Sequence, residues 1–524
     1  MKTNLRAALA VACLLALGCF SGPAEAGQLM LVNNSNAPIT CTVDGWTKDS
    51  GGAADWLITV GPNGGVYYVG QNTARASGAV INWASCGALK TRVMNITPTG
   101  PNGRLVLNGQ QNRVLNVSLY SFIPNEPFIL NAAGATFDTL IAHAIQTYQD
   151  KSPQVLLNVQ MNLLAQNTKP TRIYNFTELP AQLAKDGFDV MEIDTLYLGA
   201  LVTADVINPA KITGDEPFPV ALAASSLKGE LWGIPSWLCM DFIYSRDESV
   251  RKVTTLQALL KFLNGRPMAG TYNGSWRLPS IYINAFVQTH GYGAIDHAMT
   301  MPPDPEAIGN LFTVTSTCAA NGVNPCTDAT YYSSTTPGVA EQVFARGQAD
   351  ADMSFSEQSF YIDTYQPGNL HAAPSVWGNT PQPLLFSDTF VTSKANCAGD
   401  PCAADAIAFT TMMTGAEMKA YIVQSDDLPG ASPWRTLLVA TQPFYKLDAI
   451  AKTGRYDQFM PVLLHGRPFP NTFTQDIQTD MKYKICKALK DAAAEAHTTY
   501  TCELAPQVSA APVLGPAAGE KLAR

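Results

Sequence analysis

Cys239 closes the run Gly233-Ile-Pro-Ser-Trp-Leu-Cys239, an apolar stretch that reads as a buried strand. Of the eleven cysteines, Cys13 and Cys19 lie in a segment that reads as a cleavable leader. Eight others fall into sequence-local pairs: Cys41 with Cys86, Cys318 with Cys326, Cys397 with Cys402, and Cys486 with Cys502. Cys239 is left over. A lone thiol in an exported protein risks mispairing unless it is buried or used, so it is either a small core hydrophobe or a nucleophile. A thiol that attacks needs a base to take its proton. Three acidic features could supply one. Glu192 and Asp194, in Met191-Glu-Ile-Asp-Thr195, end an apolar strand, where open α/β sheets form their ligand crevices. Glu357 follows the strand-like run 351–355, and Asp388 lies inside the apolar run 384–391. Burial raises a carboxyl group toward the range a general base needs near neutral pH. Each acid also reads as a strand-end residue capping a helix or bonding backbone.

No histidine stands in place as that base. His143, His290, His297, His371, His465 and His497 show neither metal spacing nor a catalytic setting. A hydrolase of the Cys-His or Ser-His type is therefore poorly supported, and Glu357 is the candidate partner of Cys239. Cys397-x4-Cys402 fits a small loop disulfide rather than a zinc site. There is no dinucleotide fingerprint or phosphate-binding loop, and Gly61-Pro-Asn-Gly-Gly65 is a turn. A net charge of −8 without a Lys/Arg cluster argues against nucleic acid as a partner.

The elements that must position these residues fall into four parts. Residues 1–26 read as a signal peptide: Lys2 and Arg6, an apolar run from Ala7 to Phe20, then Ala24-Glu-Ala26. Cys19 follows Ala16-Leu-Gly18 but lacks the branched residue of a lipidation signal three positions earlier. Secretion or periplasmic export with no membrane span is the expectation. Residues 27–112 are a series of short strands separated by Asn, Gly, Pro and Ser turns, read as a small β-sandwich stapled by Cys41 and Cys86. Its aromatics read as core, with a binding face as the other possibility.

From residue 113 strands and helices alternate, the signature of a parallel sheet covered by helices. Helices are expected at 137–149, 179–185, 254–264, 280–289, 339–346, 404–424 and 477–495. Leu256, Leu259, Leu260 and Leu263 share one side of the third. The expected fold is α/β with two lobes: lobe 1 from about 113–240 and 390–505, lobe 2 from about 241–389. The Ala/Pro-rich tail, 506–524, reads as disordered.

The segment 113–505 resembles thiaminase I (thiamine pyridinylase). Four runs carry the resemblance: Asp189-Val-Met-Glu-Ile-Asp-Thr-Leu-Tyr-Leu-Gly199, Gly233-Ile-Pro-Ser-Trp-Leu-Cys239, Phe355-Ser-Glu357 and Phe386-Ser-Asp388. The second is the specific one, because ordinary solute-binding proteins share the Gly-Ile-Pro but lack the cysteine. The resemblance implies a two-lobed, type II periplasmic-binding-protein-like fold and a transferase that displaces the thiazole of thiamine. Cys239 would be the nucleophile and Glu357 its base; Asp194 and Asp388 would hold the aminopyrimidine, with Tyr120 lining the cleft. Thiamine and a small amine, pyridine or thiol would be the substrates, with no cofactor and no metal. Phe355 and Phe386 stand where the family favours Tyr. The β region lies outside the resemblance, and a surface or protein ligand for it is left open. Two rival readings remain: a non-catalytic extracytoplasmic solute-binding protein, and an exported interaction protein working through the β region.

Overall fold

The computed structural model describes residues 29–47, 52–69, 80–96, 103–120, 123–124, 137–162, 187–272, 277–318, 323–328, 330–331, 338–428, 430, 433–472 and 481–502. The expected signal segment, the helix expected at 179–185 and the tail lie outside the described residues.

The N-terminal strands form two sheets. Leu29–Asn33 sits between Gly65–Val69, antiparallel, and Gly103–Leu107, parallel. The second sheet runs Gly52–Val60, Ile39–Thr47, Val80–Cys86, Leu89–Ile96, antiparallel throughout. Period-two alternation sends Leu29, Leu31, Cys41, Val43, Ile58 and Val60 into a common core. Cys41 and Cys86 are directly opposite in the ladder and bonded. Closing that loop contributes about 4 kcal/mol in the chain-entropy picture. The turn at Asn63 and Gly64 has positive φ at both positions, 59° and 85°, which Asn and Gly adopt readily.

The first lobe is a seven-stranded sheet. Its order is Leu438–Val439, Ile234–Cys239, Leu384–Thr392, Val190–Asp194, Arg113–Tyr120, Val155–Asn162, with Arg467–Pro468 also paired to Leu384–Thr392. Arg113–Tyr120 and Val155–Asn162 are parallel, joined through the helix Asp138–Gln149. That helix buries Leu140, Ile141, Ala144, Ile145 and Tyr148, each large side chain stabilising by roughly 2 kcal/mol. The sheet is mixed, not wholly parallel, because Leu384–Thr392 enters antiparallel to both its main neighbours.

The opposite face at this edge belongs to the β region. Leu156 joins its core, and the Asn158 amide donates to Thr91 Oγ1 at 3.0 Å and Asn116 Oδ1 at 2.9 Å. The β region thus rests on the sheet, where α/β folds usually place a helix.

The second lobe holds the sheet Met268–Gly270, Ala351–Phe355, Asp241–Ser245, His371–Pro374. Around it pack the helices Leu256–Leu263, Arg277–His290, Pro305–Ser316 and Val339–Ala345. The first is bounded as its sequence suggests: Thr255 Oγ1 accepts from the Ala258 N–H at 3.2 Å, and Asn264 ends it with φ 47°. Leu260, expected on its buried side, is 40% exposed, whereas Leu256, Leu259 and Leu263 are buried.

Two lobe boundaries fall elsewhere than expected. Leu384–Thr392 pairs wholly within the first sheet, so the chain returns to lobe 1 before Leu384 rather than near 390. The C-terminal helix Lys482–Glu495 packs through Ile485, Cys486 and Leu489 into the core of lobe 2, not lobe 1. All four sequence-local cysteine pairs are disulfides, and Cys239 is free. No helix among the described residues is long and apolar enough to cross a membrane.

Candidate active site

Cys239 is the last residue of its strand in lobe 1, and Asp241 is the first of its strand in lobe 2. Met240 alone spans the crossing. Across the ladder Cys239 faces Phe386, and Trp237 faces Asp388. Between Pro235 and Trp237 the register slips by one, leaving Ser236 as an extra residue in a bulge.

Glu357 comes from lobe 2, in the single turn Ser356–Gln358 that follows the strand Ala351–Phe355. The Ser356 backbone N–H donates to the Met240 carbonyl at 3.1 Å, which seats the turn beside the crossing. Ser356 Oγ donates to Glu357 Oε2 at 3.0 Å. Burial, opposed by the Glu357 N–H and the Ser356 hydroxyl, pushes the Glu357 carboxyl up to about 7. A carboxyl there can accept and return a proton near neutral pH.

Asp194 ends the strand Val190–Asp194 and lies directly opposite Asp388. One Asp194 oxygen accepts the Leu196 N–H at 2.9 Å, capping the turn Thr195–Tyr197, as the bland sequence reading expects. Burial raises Asp194 to about 7. It also raises Asp388 well above its ordinary value, and Asp194, Glu192 and Glu357 add to the effect while Lys419 opposes it. Two opposed carboxyls do not both ionise readily, so the pair titrates as a unit.

The Cys239 thiol is pushed well above its ordinary value, first by burial and then by Glu357, Asp388, Asp194 and Asp241. It therefore rests as a thiol. A cation placed among these acids would offset their effect, and Glu357 can take the proton as sulfur attacks. Two of the histidines are engaged elsewhere: His143 stacks on Tyr421 and His290 contacts Asp304.

Several site residues give little sign in the sequence. Asp241, two positions after Cys239, is gripped by both terminal nitrogens of the buried Arg277 at 2.8 and 2.6 Å. The Arg277 guanidinium also lies 4.5 Å from the Phe355 ring centre. Phe355 meets Phe386 edge-on at 5.9 Å, and Phe386 stacks on Phe469 at 4.3 Å, so an aromatic wall joins the lobes at the level of Cys239. Behind Glu357, the buried Glu341 is raised to about 7 and Asp352 well above its usual range, burial leading in both. Lys419, on the helix Ala416–Val423, is buried against Trp237 and Ser236. A lysine in an ordinary amphipathic helix carries no mark of such a role. Tyr120 ends its strand opposite Asn162, and its side chain lies outside the described residues.

Two sheet-centred lobes, joined at Met240, through 375–383 and again between Arg467–Pro468 and Lys482–Glu495, with acids from both at the first crossing, form the two-lobed α/β fold of periplasmic binding proteins, here preceded by a β region. Among solved structures, thiaminase I from Bacillus thiaminolyticus matches with a TM-score of 0.56 at 18% identity, over 72% of this chain and 99% of that one. Clostridium botulinum thiaminase I in complex with thiamin matches with a TM-score of 0.56 at 16% identity, over 72% and 99%. The GacH receptor of Streptomyces glaucescens gives 0.46 at 11% identity, over 73% and 98%. No family model matches the chain, and no curated protein matches it in sequence. The chain shares the fold of thiaminase I.

Proposed function

We propose that the protein is an exported thiamine-degrading transferase of the thiaminase I type. The observation that carries this reading is the pairing at the crossing. A lone half-buried thiol stands beside a carboxyl raised to about 7, and that carboxyl's turn is bonded to the residue following the thiol.

In this reading the Glu357 carboxylate accepts the Cys239 proton while sulfur adds to the pyrimidine ring carbon next to the one bearing the methylene. The electron pair moves to the ring nitrogens, where a protonated carboxyl of the Asp194–Asp388 pair donates a hydrogen bond. Return of that pair expels the thiazolium as neutral thiazole and leaves an exocyclic methylene. An amine, pyridine or thiol adds there. The ring pair then expels sulfur, which regains a proton from Glu357, and any proton carried by the nucleophile passes to solvent. The cluster of acids suits a cationic substrate, whose charge offsets the cost of forming a thiolate among carboxylates.

The test is incubation of pure protein with thiamine and a simple amine or thiol, followed by mass analysis. Free thiazole and a pyrimidinylmethyl adduct are expected. Thiamine that binds and stays intact would instead support a non-catalytic binding protein, a reading favoured by the thiol's strong preference for its protonated form.

A further inference from the structure

Lys419 is 1% exposed; burial lowers its ammonium to about 7, and Glu192 and Asp388 oppose that fall. Its ammonium lies 3.3 Å from the Trp237 ring centre and donates to Ser236 Oγ at 2.7 Å. The Ser236 hydroxyl in turn donates to Glu192 Oε1. Ser236 is available for this bridge because it is the bulged residue of its strand. Trp237, on which the ammonium rests, is the cross-strand partner of Asp388, and Asp388 is the partner of Asp194. One cation thus sits beneath three carboxyls.

A buried ammonium is tolerated only when hydrogen-bonded and paired, and one cation cannot keep three neighbouring carboxyls ionised. Lys419 and Glu192 are linked through Ser236, and Asp194 and Asp388 lie opposite one another on the adjoining strands. The lysine acts on Asp388, whose cross-strand neighbour Trp237 carries the ammonium, whereas Asp194 lies one strand further away, so the two carboxyls are unequal. The groups facing Lys419 are Glu192 and Asp388 from the sheet, with Asp194 and Glu357 acting through Asp388. On the turn Pro443–Lys446 that packs on its helix, Tyr445 donates to the Val439 carbonyl and Lys446 is exposed; on its own helix Glu417 is exposed.

We propose that Lys419 is a positioning and specificity residue: its anchored ammonium makes one of Asp194 and Asp388 an acceptor and leaves the other a donor. This rests on the thiamine reading above. A 4-aminopyrimidine presents an amino donor beside a ring-nitrogen acceptor, so it fits one ionised and one protonated carboxyl in a fixed order. A 4-oxo pyrimidine reverses that order. With Lys419 the proton has a preferred seat and the 4-amino ring is selected. Without it the proton exchanges between the two carboxyls and the selection is lost.

The experiment compares wild type, K419M and K419R, using thiamine and its 4-oxo analogue as substrates across pH 5.5 to 9. For K419M a roughly ten- to hundredfold loss in kcat/KM is expected for thiamine, with a smaller loss for the analogue, so the preference shrinks. The acid limb of the thiamine kcat/KM profile should move up by about one unit or more, because a carboxyl without its cation ionises later. K419R should keep the limb near its wild-type position. A folded K419M with unchanged preference and unchanged limb overturns the proposal. Should K419M fail to fold, S236A, which removes the ammonium's anchor, must shift preference and limb in the same direction by a smaller amount; no shift overturns it equally. A wild-type protein that consumes thiamine while K419M behaves identically refutes the role of Lys419 alone. A wild type that neither binds nor consumes thiamine refutes the functional reading and this proposal together.

Discussion

Asp194 and Asp388 stand directly opposite one another across two antiparallel strands, both raised by burial, Asp388 also by its acidic neighbours. Like charges directly opposite in a sheet are destabilising, so an uncompensated pair would weaken the ladder at this point. Retention of one proton between them resolves the conflict and supplies one donor and one acceptor at the same place.

Asp388→Asn removes one carboxyl of the pair but keeps the shape. Thiamine KM should rise roughly ten- to hundredfold, with a smaller fall in kcat, measured by steady-state kinetics. Equal loss in kcat with unchanged KM would place Asp388 in the chemical step rather than in ring binding.

Cys239→Ser should leave the far-UV spectrum and thiamine binding by calorimetry within a few-fold of wild type. Turnover should fall by more than about a thousandfold, since a hydroxyl in this acidic setting is a far weaker nucleophile. Full retained activity would remove Cys239 from the mechanism.

Glu357→Gln should lower kcat by roughly 10²–10⁴-fold, the usual span for loss of a general base. Glu357 acts as a base only when ionised, and its carboxyl lies near 7. Wild-type kcat should therefore rise with pH through about 7 and then level off. A rate independent of pH from 5.5 to 8.5 contradicts the assignment, as does an E357Q variant that keeps the rising limb.

Glu341 gives a stability prediction independent of activity. Burial raises it to about 7, whereas the unfolded chain releases that proton near the ordinary value of 4.5. Between those values the folded protein holds a proton that the unfolded chain lacks, so this group makes stability fall as pH rises from about 4.5 through 7. Glu341→Gln cannot ionise and should flatten the fall. Urea midpoints at pH 5 and pH 8 measure it; an identical slope in E341Q and wild type would show that Glu341 is ionised in the folded state.

Features set by local chemistry were legible in the sequence. The Asn63–Gly64 turn, the Thr255 and Asn264 helix ends and the four cysteine pairs each follow from side chains close along the chain. Cys239 stood out because pairing left it over, and the acids stood out because they interrupt apolar runs. Features set by distant packing were not legible. An apolar strand such as Leu384–Thr392 carries no record of its direction within the sheet. The C-terminal helix shows an apolar stripe without naming the lobe that receives it. Lys419 looks like a solvent-facing residue until Trp237 and Ser236 are placed against it.

The bond from Ser356 to Met240 lies at the point where the chain passes from one lobe to the other. In any rotation of one lobe about that crossing, displacement grows with distance from the axis. Sulfur and carboxylate, each one residue from the bond, have almost no lever arm. A rotation there would move the far ends of the lobes while the reacting pair kept its spacing. The proton-transfer geometry would be carried like the pin of a pair of shears, indifferent to how far the blades are apart.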